Sequence, residues 1–576
     1  MSARELITEH LDLWTGAVTH KSSAGRGRNG KIELTGIKKL RELILELAVR
    51  GKLVEQDPSD EPASMLLERI AEEKARLVRD GTIKKPKKLP EVSEDEKPFD
   101  LPNGWQWARL SDVLRVINGR AYKKHEMLQA GTPLLRVGNL FTSSEWYYSD
   151  LQLDDDKYID QGDLIYAWSA SFGPFIWDGG RAIYHYHIWK LELFDQSSTN
   201  KHFLYNYLKA VTEEVKSSGS GIAMIHMTKA KMEELAVPLP PHEEQQRIVE
   251  KVDELMALCD RLEQQVGDQL EAHEVLVDTL LDALTRSTGA AEVAENWARI
   301  AEHFDTLFTT EASIDKLKQT ILQLAVMGRL VEQDPSDEPA SVLLERIAEE
   351  KTRLVKEGKI KKTKKIPDVT EDDFLFKLPK GWSWTRFENI VDPKFSISYG
   401  VLVPGPETKN GVPLVRVADL SVSNPSDQPE KSISHGVDKK FAKTRLNGGE
   451  ILLCVVGSIG KLGVAPNSWK GANIARAICR IMPTELVSKS YILMLLQTEF
   501  MQDRFGKDTR TLAQPTLNVG LIRSASTPLP PFEEQERIVE KVDELMALCD
   551  QLKVRLGEAG ETRVHLAEAV MEQAVQ

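Results

Sequence analysis

The chain has 576 residues, of which 28% are charged and 41% hydrophobic, and a formal net charge of −13. That length supports three or four domains with proper cores, and the acidic balance argues against a histone-like binder while leaving room for a local basic face. No run of 18 apolar residues occurs, and the N-terminal MSARELITEHLD is acidic without an apolar core, so neither a membrane span nor a signal peptide is expected.

A first amphipathic helix is predicted from Arg4 to about Thr19, followed by a flexible basic linker, SSAGRGRNGK, from Ser22 to Lys31. A second helix runs from about Ile37 to Val49, with Leu40, Ile44, Leu47 and Ala48 on one face. VEQDPSDEP forms a turn, and Pro62 suits the first position of a third helix. That helix carries Met65, Leu66, Ile70 and Leu77 to about Asp80. KKPKK and EVSEDEKPFD then make a charged linker without apolar period.

At LPNGW, Leu101 to Trp105, the texture changes. Short runs rich in Val, Ile, Tyr and Trp (LLRVGNL, DLIYAWSAS, RAIYHYHIWKLEL) alternate with Gly and Asp turns. They predict a mixed domain dominated by β-structure. It closes with a helix around His202 to Lys216 and the loop SSGSGIAMIH.

Next stands PLPPHEEQQRIVEKVDELMALCD, Pro238 to Asp260. The prolines end the preceding fold, because proline lacks an amide donor and pushes its predecessor out of helical geometry. Glu-Glu suits the first turn of a helix. Ile248, Val252, Leu255, Cys259, Leu262 and Val266 alternate by four and three, a coiled-coil seam. The helix is predicted from about Glu243 to Thr285, roughly 65 Å long, so it requires a partner helix to cover its stripe.

The chain then starts again. AEHFDTLFT (Ala301 to Thr309) echoes TEHLDLWTG (Thr8 to Gly16), and Leu324 to Gly358 nearly copies Leu47 to Gly81. LPKGW at 378–382 matches LPNGW, and a second mixed domain runs from Gly381 to about Thr527. PLPPFEEQERIVEKVDELMALCD recurs from Pro528 to Asp550, 290 positions after the first copy, with the seam Ile538, Val542, Leu545, Cys549, Leu552 and Leu556. The predicted fold class is α+β: two β-rich domains separated by long α-helices in a pseudo-two-fold tandem duplication. Its segments are a helical region at 1–103, a first β-rich domain at 104–238, a central helical region at 239–380, a second β-rich domain at 381–528 and a closing helix at 529–576. The helical parts are almost identical between copies. The β-rich parts align only loosely, LLRVGNL with LVRVADL and DLIYAWSASFG with EILLCVVGSIG. Like helices carrying unlike domains suit a two-part asymmetric target, and DNA half-sites at fixed spacing are such a target.

Two dissimilar recognition domains, alternating with two similar helical regions and each closing in a PLPP-x-EEQ-x-RIV block, resemble the DNA-specificity subunit of type I restriction-modification systems. The resemblance covers essentially the whole chain. It implies that each recognition domain reads one half of a bipartite double-stranded DNA site. It implies that the long helices pair as an antiparallel coiled coil that fixes the gap between half-sites. It further implies docking of two modification (methyltransferase) subunits, which bind S-adenosylmethionine and methylate adenine N6, and of two restriction subunits that act as translocase and nuclease. The chain itself would catalyse nothing and bind no cofactor, the S-adenosylmethionine, ATP and Mg belonging to the partners. The implied location is a bacterial or archaeal cytoplasm. One departure is that about 100 residues precede the first recognition domain and copy the segment between the domains, as though a segment usually placed after the second domain had been permuted to the front. The two ends of the chain would then meet.

Individual residues agree with a non-catalytic reading. No NPPY-type or GxGxxG motif occurs. GSIGKLG, Gly457 to Gly463, has Val455 and Leu462 where a phosphate loop needs Gly and Ser or Thr, so a turn between strands is expected. The four cysteines lack CxxC or Cys/His spacing, which points to buried structural thiols and a reducing compartment. No metal site is expected; His185 and His187, alternating with Tyr184 and Tyr186 on one predicted strand, suit packing or a sheet surface. Residues 381–528 hold 18 Lys+Arg against 12 Asp+Glu, whereas residues 104–238 hold 14 against 16, with Asp154, Asp155 and Asp156 placed away from DNA. Candidate DNA contacts, chosen because phosphates and base edges call for basic and amide or hydroxyl side chains, fall on a few loops. In the first domain they are Arg120, Tyr122, Lys123 and Lys124, then Lys216, Ser217, Ser218, His226 and Lys229. In the second they are Ser458 and Lys461, then Lys507, Arg510, Thr511, Gln514 and Asn518. The rival readings are a fused methyltransferase or nuclease, disfavoured by the missing motifs, and a protein-interaction scaffold with two different ligand-binding domains.

Overall fold

A computed structural model describes residues 7–20, 32–169, 171–217, 227–287, 290–362, 366–507 and 516–575. The chain divides into two compact units, residues 1–270 with 558–576, and residues 271–557.

In the first unit, α1 (Thr35–Val49) buries the predicted face of Leu40, Ile44, Leu47 and Ala48. It ends at Gly51, whose φ is +66°, and a Cβ there would lie 2.5 Å from Pro102 Cγ and 2.9 Å from Trp105 Cζ2. Glycine alone fits this reversal beneath LPNGW. In α2 (Ala63–Arg79) the buried residues are Ala63, Leu66 and Ile70, spaced by three and four as a single helix face requires. Met65, grouped with them from the sequence, points elsewhere and is 45% exposed.

The first β-rich domain carries β1 (Gln106–Arg109), β2 (Leu114–Asn118), β3 (Thr132–Leu135), β4 (Tyr147–Ser149), β5 (Tyr158–Ile159), β6 (Leu164–Ser169), β7 (Ser171–Ile176), β8 (Ala182–Tyr184), β9 (Ile188–Leu193) and β10 (Ala236–Leu239). Two four-stranded sheets run β4-β3-β8-β5 and β2-β9-β6-β7, and β10 pairs with β1. In that closing pair Pro238 stands opposite Trp107, so the proline block seals the domain as a two-stranded edge, where a missing amide is tolerated. Helix α3 (Lys201–Ser217) packs on α1 and β7.

The long helix α4 (His242–Arg286) begins right after the prolines. Its seam residues Ile248, Val252, Leu255 and Cys259 are at most 4% exposed and share one core with Ile37, Leu40 and Ile44 of α1 and Phe203 of α3. Each buried aliphatic side chain there contributes roughly 1.5–3 kcal/mol. Arg41 on α1 pairs with Asp260 and Glu263 at 2.7 and 2.8 Å, and Gln56 beyond its end reaches Glu244 at 3.1 Å, so α1 and α4 run antiparallel. The helix that covers this stretch of the seam is therefore α1, from the segment that precedes the first β-rich domain.

The second unit repeats the plan. Helices α5 (Glu311–Val326), α6 (Ala340–Lys356), α7 (Lys489–Gln497) and α8 (Glu499–Lys507) surround the second β-rich domain, and α9 (Phe532–Val575) is the second long helix. Its strands are β11 (Ser383–Arg386), β12 (Val412–Val415), β13 (Lys431–Ile433), β14 (Ile451–Cys454), β15 (Leu462–Val464), β16 (Asn473–Ile474), β17 (Ile478–Ile481) and β18 (Ser526–Leu529). The sheets run β13-β12-β16 and β15-β14-β17, with β11 on β18. The parallel pairing of β3 with β8 recurs between β12 and β16. Ile538, Val542 and Cys549 are buried in one core with Ile314, Leu317 and Ile321 of α5, and Leu545 and Leu552 are packed against it half-buried. Lys318 pairs with Asp550, and Lys553 with Asp315 at 2.6 Å.

Each unit also takes in the end of the other long helix. In the first, Ala567 joins the core, Lys39 lies 3.8 Å from Glu568, and Lys52 Nζ donates to the Val575 carbonyl at 2.8 Å. The start of the chain and its end thus meet there. In the second, Val277, Leu281 and Leu284 of α4 do the same work, and Arg329 donates to the Thr285 carbonyl at 2.8 Å. Within each unit the start of one long helix and the end of the other therefore lie antiparallel beside the same short helix.

The duplicated block also forms a polar clamp. Trp105 Nε1 donates to Glu244 Oε2 at 3.0 Å, and Trp382 Nε1 to Glu534 Oε2 at 2.9 Å. Gln56 and Gln333 donate to the other oxygens. Arg247 pairs with Asp60 and Arg537 with Asp337, both at 2.6 Å. Gln245 accepts from the Asn200 amide and Gln535 from the Ser488 amide. Burial pushes both Glu carboxyls up from the ordinary value.

The charged linkers are anchored too, which their composition did not suggest. Arg109 holds Glu96 with two hydrogen bonds of 2.7 Å and donates to the Pro90 and Glu91 carbonyls. Arg386 holds Asp373, Pro367 and Asp368 in the same way. All four cysteines are free thiols and buried.

Candidate nucleic-acid interface

RAIYHYHIWKLEL, expected as one strand, is two. β8 ends at Tyr184, residues 185–187 turn, and β9 begins at Ile188. The break comes from Gly119, where the chain leaving β2 crosses so closely that a Cβ would lie 2.3 Å from the His185 carbonyl oxygen. Six backbone hydrogen bonds fix the crossing. Gly119 N donates to Ile188 O (3.2 Å), Arg120 N to Tyr184 O (3.1 Å), Tyr186 N to Arg120 O (3.0 Å), His185 N to Leu135 O (2.9 Å), Ile188 N to His185 O (2.9 Å) and Trp168 N to His187 O (3.0 Å).

The second domain ties the same knot. Gly400 N donates to Ile478 O (3.3 Å), Val401 N to Ile474 O (2.8 Å), Arg476 N to Val401 O (2.9 Å), Ala475 N to Val415 O (2.9 Å), Ile478 N to Ala475 O (2.9 Å) and Val455 N to Ala477 O (2.7 Å). Here a Cβ on Gly400 would lie 1.9 Å from the Ile474 oxygen. Residues 185–187 thus correspond to 475–477. The sequence alone did not reveal this third correspondence. The signal was there in the two fragments that do align, since Leu135 with Val415 and Trp168 with Val455 are the residues that hold the turn.

In the second domain two of the candidate loops adjoin the knot. Leu517 N donates to Val455 O at 2.8 Å and Val456 bridges Thr516. That brings the root of the 507–518 loop beside the turn of GSIGKLG, which joins β14 to β15 as expected. Ser458 is exposed in this turn, and Lys461 donates to the Val417 carbonyl at 2.9 Å. Asn518 caps the short helix Val519–Ser524. Lys507 closes α8, with its side chain outside the described residues, as are Arg510, Thr511 and Gln514 entirely.

In the first domain Lys123 and Lys124 are exposed, just after Tyr122. Arg120 itself is taken by Glu126, at 2.7 and 3.0 Å, and lies over the Tyr122 ring. Tyr122 corrects the sequence reading. It packs with Leu134, Tyr158 and Ile183 in a small core, its hydroxyl has no hydrogen-bond partner, and burial pushes that hydroxyl up to about 12. An aromatic ring flanked by cations in sequence was the cue, but the apolar residues around it claim the ring. Lys229 pairs with Glu233 at 3.5 Å. Lys216 and Ser217 close α3 with side chains outside the described residues, and Ser218 and His226 lie outside them altogether. Asp155 is held by Arg181 at 2.9 Å, and Asp156 pairs with Lys157 at 3.3 Å.

The side chains at the turn differ completely. In the first domain His185, Tyr186, His187 and Trp168 form an aromatic cluster, with Tyr186 and His187 rings 3.9 Å apart and Trp168 edge-on to His187 at 4.9 Å. Trp168 Nε1 donates to the Tyr186 carbonyl at 3.0 Å. Burial, then His187 and Arg136, push His185 down to about 4, and burial lowers His187. Both imidazoles are therefore neutral near pH 7, each offering one donor and one acceptor. In the second domain the turn reads Ala475, Arg476, Ala477.

The family model for the type I restriction modification DNA specificity domain matches residues 102–272 and 405–558, which include the turns at 185–187 and 475–477. Along its whole length the chain is 39% identical to the type I restriction enzyme EcoAI specificity subunit of Escherichia coli, covering all of both chains. It belongs to the DNA-specificity subunits of type I restriction-modification systems. The EcoEI specificity subunit of Escherichia coli is 38% identical over the same full span. The crystal structure of the HsdS subunit from Thermoanaerobacter tengcongensis matches 83% of this chain and 98% of its own, at 19% identity and a TM-score of 0.40. This specificity subunit accordingly has two recognition domains, the β-rich domains described above. Among its described residues no helix is long and apolar enough to cross a membrane, and no group of His, Cys, Asp and Glu is arranged to hold a metal.

Proposed function

We propose that each recognition domain of this specificity subunit reads one half of a bipartite DNA site and that the long helices set the gap between the halves. The observation that carries this reading is the pair of knots: one backbone frame, built twice, presenting different side chains. Two copies of one reader with unlike surfaces suit two unlike half-sites. The repeated helices dock two modification subunits, which supply S-adenosylmethionine and adenine-N6 methyl transfer, and two restriction subunits, which supply ATP- and Mg-dependent translocation and cleavage. The chain itself performs no catalysis and works in the cytoplasm. Two near-identical helical segments, each placed beside one recognition domain, support two equivalent docking sites.

The test is a footprint of the chain assembled with its modification partner. Two short protected patches separated by a fixed unread gap are expected, and removal of two turns from α4 shifts the tolerated gap without changing the bases read. Protection with no sequence preference contradicts the reading.

A further inference from the structure

We propose that the turn at the knot is a base-reading element in each recognition domain, and that Arg476 reads a guanine in the half-site of the second. The inference rests on the two-domain reading above and names the residue that carries part of it. Nearly every other described arginine between residues 381 and 528 serves the fold. Arg386 holds Asp373, Arg416 holds Asp419, Arg445 holds Asp438, Arg480 donates to the Arg445 carbonyl, Arg504 binds Ser526 and Arg523 holds Glu388. Among these described arginines, Arg476 alone is exposed with no side-chain hydrogen bond or ion pair.

Its surroundings fit a reader. The backbone beneath it is fixed by the six hydrogen bonds of the knot, so placing the guanidinium costs only side-chain entropy. Alanine on either side leaves the approach open. A free guanidinium on a rigid, protruding turn matches the two acceptors that guanine O6 and N7 present in the major groove. Beside it, just past Val401, Leu402 and Val403 are 56% and 75% exposed. They offer an apolar surface beside the guanidinium, and a thymine methyl is the apolar group a base edge presents. At the same turn in the first domain Tyr186, 39% exposed, stands between two neutral imidazoles, so a different base is read from the same place.

The experiment assembles the full chain with its modification partner and selects bound sequences from a randomised duplex library. Arg476→Ala is expected to relax one G·C position of one half-site by about 10–100-fold, leaving the other half-site intact, and Tyr186→Ala to alter only that other half-site. Arg476→Lys retains part of the guanine preference. The proposal is overturned if Arg476→Ala leaves every position as selective as before, if it relaxes an A·T position, or if it weakens all sequences evenly, as loss of a phosphate contact does. A wild-type complex that selects no split site refutes the two-domain reading itself; one that selects it while Arg476→Ala changes nothing refutes the turn alone.

Discussion

At the clamp the two copies of this chain match side chain for side chain: Trp105 with Trp382, Glu244 with Glu534, Gln56 with Gln333, Arg247 with Arg537. At the knot they match hydrogen bond for hydrogen bond, yet residues 185–187 and 475–477 have no residue in common. The clamp joins each recognition domain to the helix that carries it, and a buried carboxylate with two donors tolerates no change of partner. The knot is held by main-chain groups, which any residue supplies, so its side chains are free to vary with the DNA they meet. One chain thus separates the residues that fix the geometry from those that vary on it.

The largest stability losses should come from breaking the clamp. Trp105→Ala or Trp382→Ala removes a large buried ring and one donor to a buried carboxylate, a cost of about 3–5 kcal/mol. The two losses should be equal in denaturant unfolding, and a loss confined to one copy breaks the equivalence claimed here. Gly51→Ala and Gly328→Ala should come next, since φ is positive and Pro102 or Pro379 lies within 2.5 Å of the added Cβ. Gly81→Ala and Gly358→Ala, at similar φ but with nothing within 4 Å, should cost only about 1 kcal/mol of backbone strain. Arg41→Ala should cost under about 1 kcal/mol, as half-exposed ion pairs do.

Acid offers a finer test of the same equivalence. Arg109 holds Glu96 down to about 2, and Arg386 holds Asp373 down to about 2. Both carboxyls sit below their ordinary values, so the anchoring is complete above those values and is lost as the pH falls toward 2. Protection of the amides in residues 84–100, taken relative to their intrinsic exchange rates, should therefore fall as the pH drops from about 5 toward about 2, and Arg109→Ala should lower that protection at the higher pH already.

Much of the frame was legible in the sequence because it is periodic or repeated. The face of α1, the start of each long helix after the prolines and the turn at GSIGKLG follow from spacing and from the missing amide of proline. The covering of each seam by α1 or α5 was not legible, because heptads call for a partner without naming it. The knot was hidden because Gly119 and Gly400 act through a crossing between segments far apart in sequence. Tyr122 misled for the same reason: its partners Leu134, Tyr158 and Ile183 place it in a core, and a run of cations beside a ring carries no record of them.

The claim that two unlike readers stand on one frame is tested most directly by exchanging residues 104–238 for the first recognition domain of another specificity subunit and mapping the adenines methylated by the assembled complex. One half of the recognised site should change while the other half and the gap between them stay as they were. A change in both halves, or in neither, would contradict it.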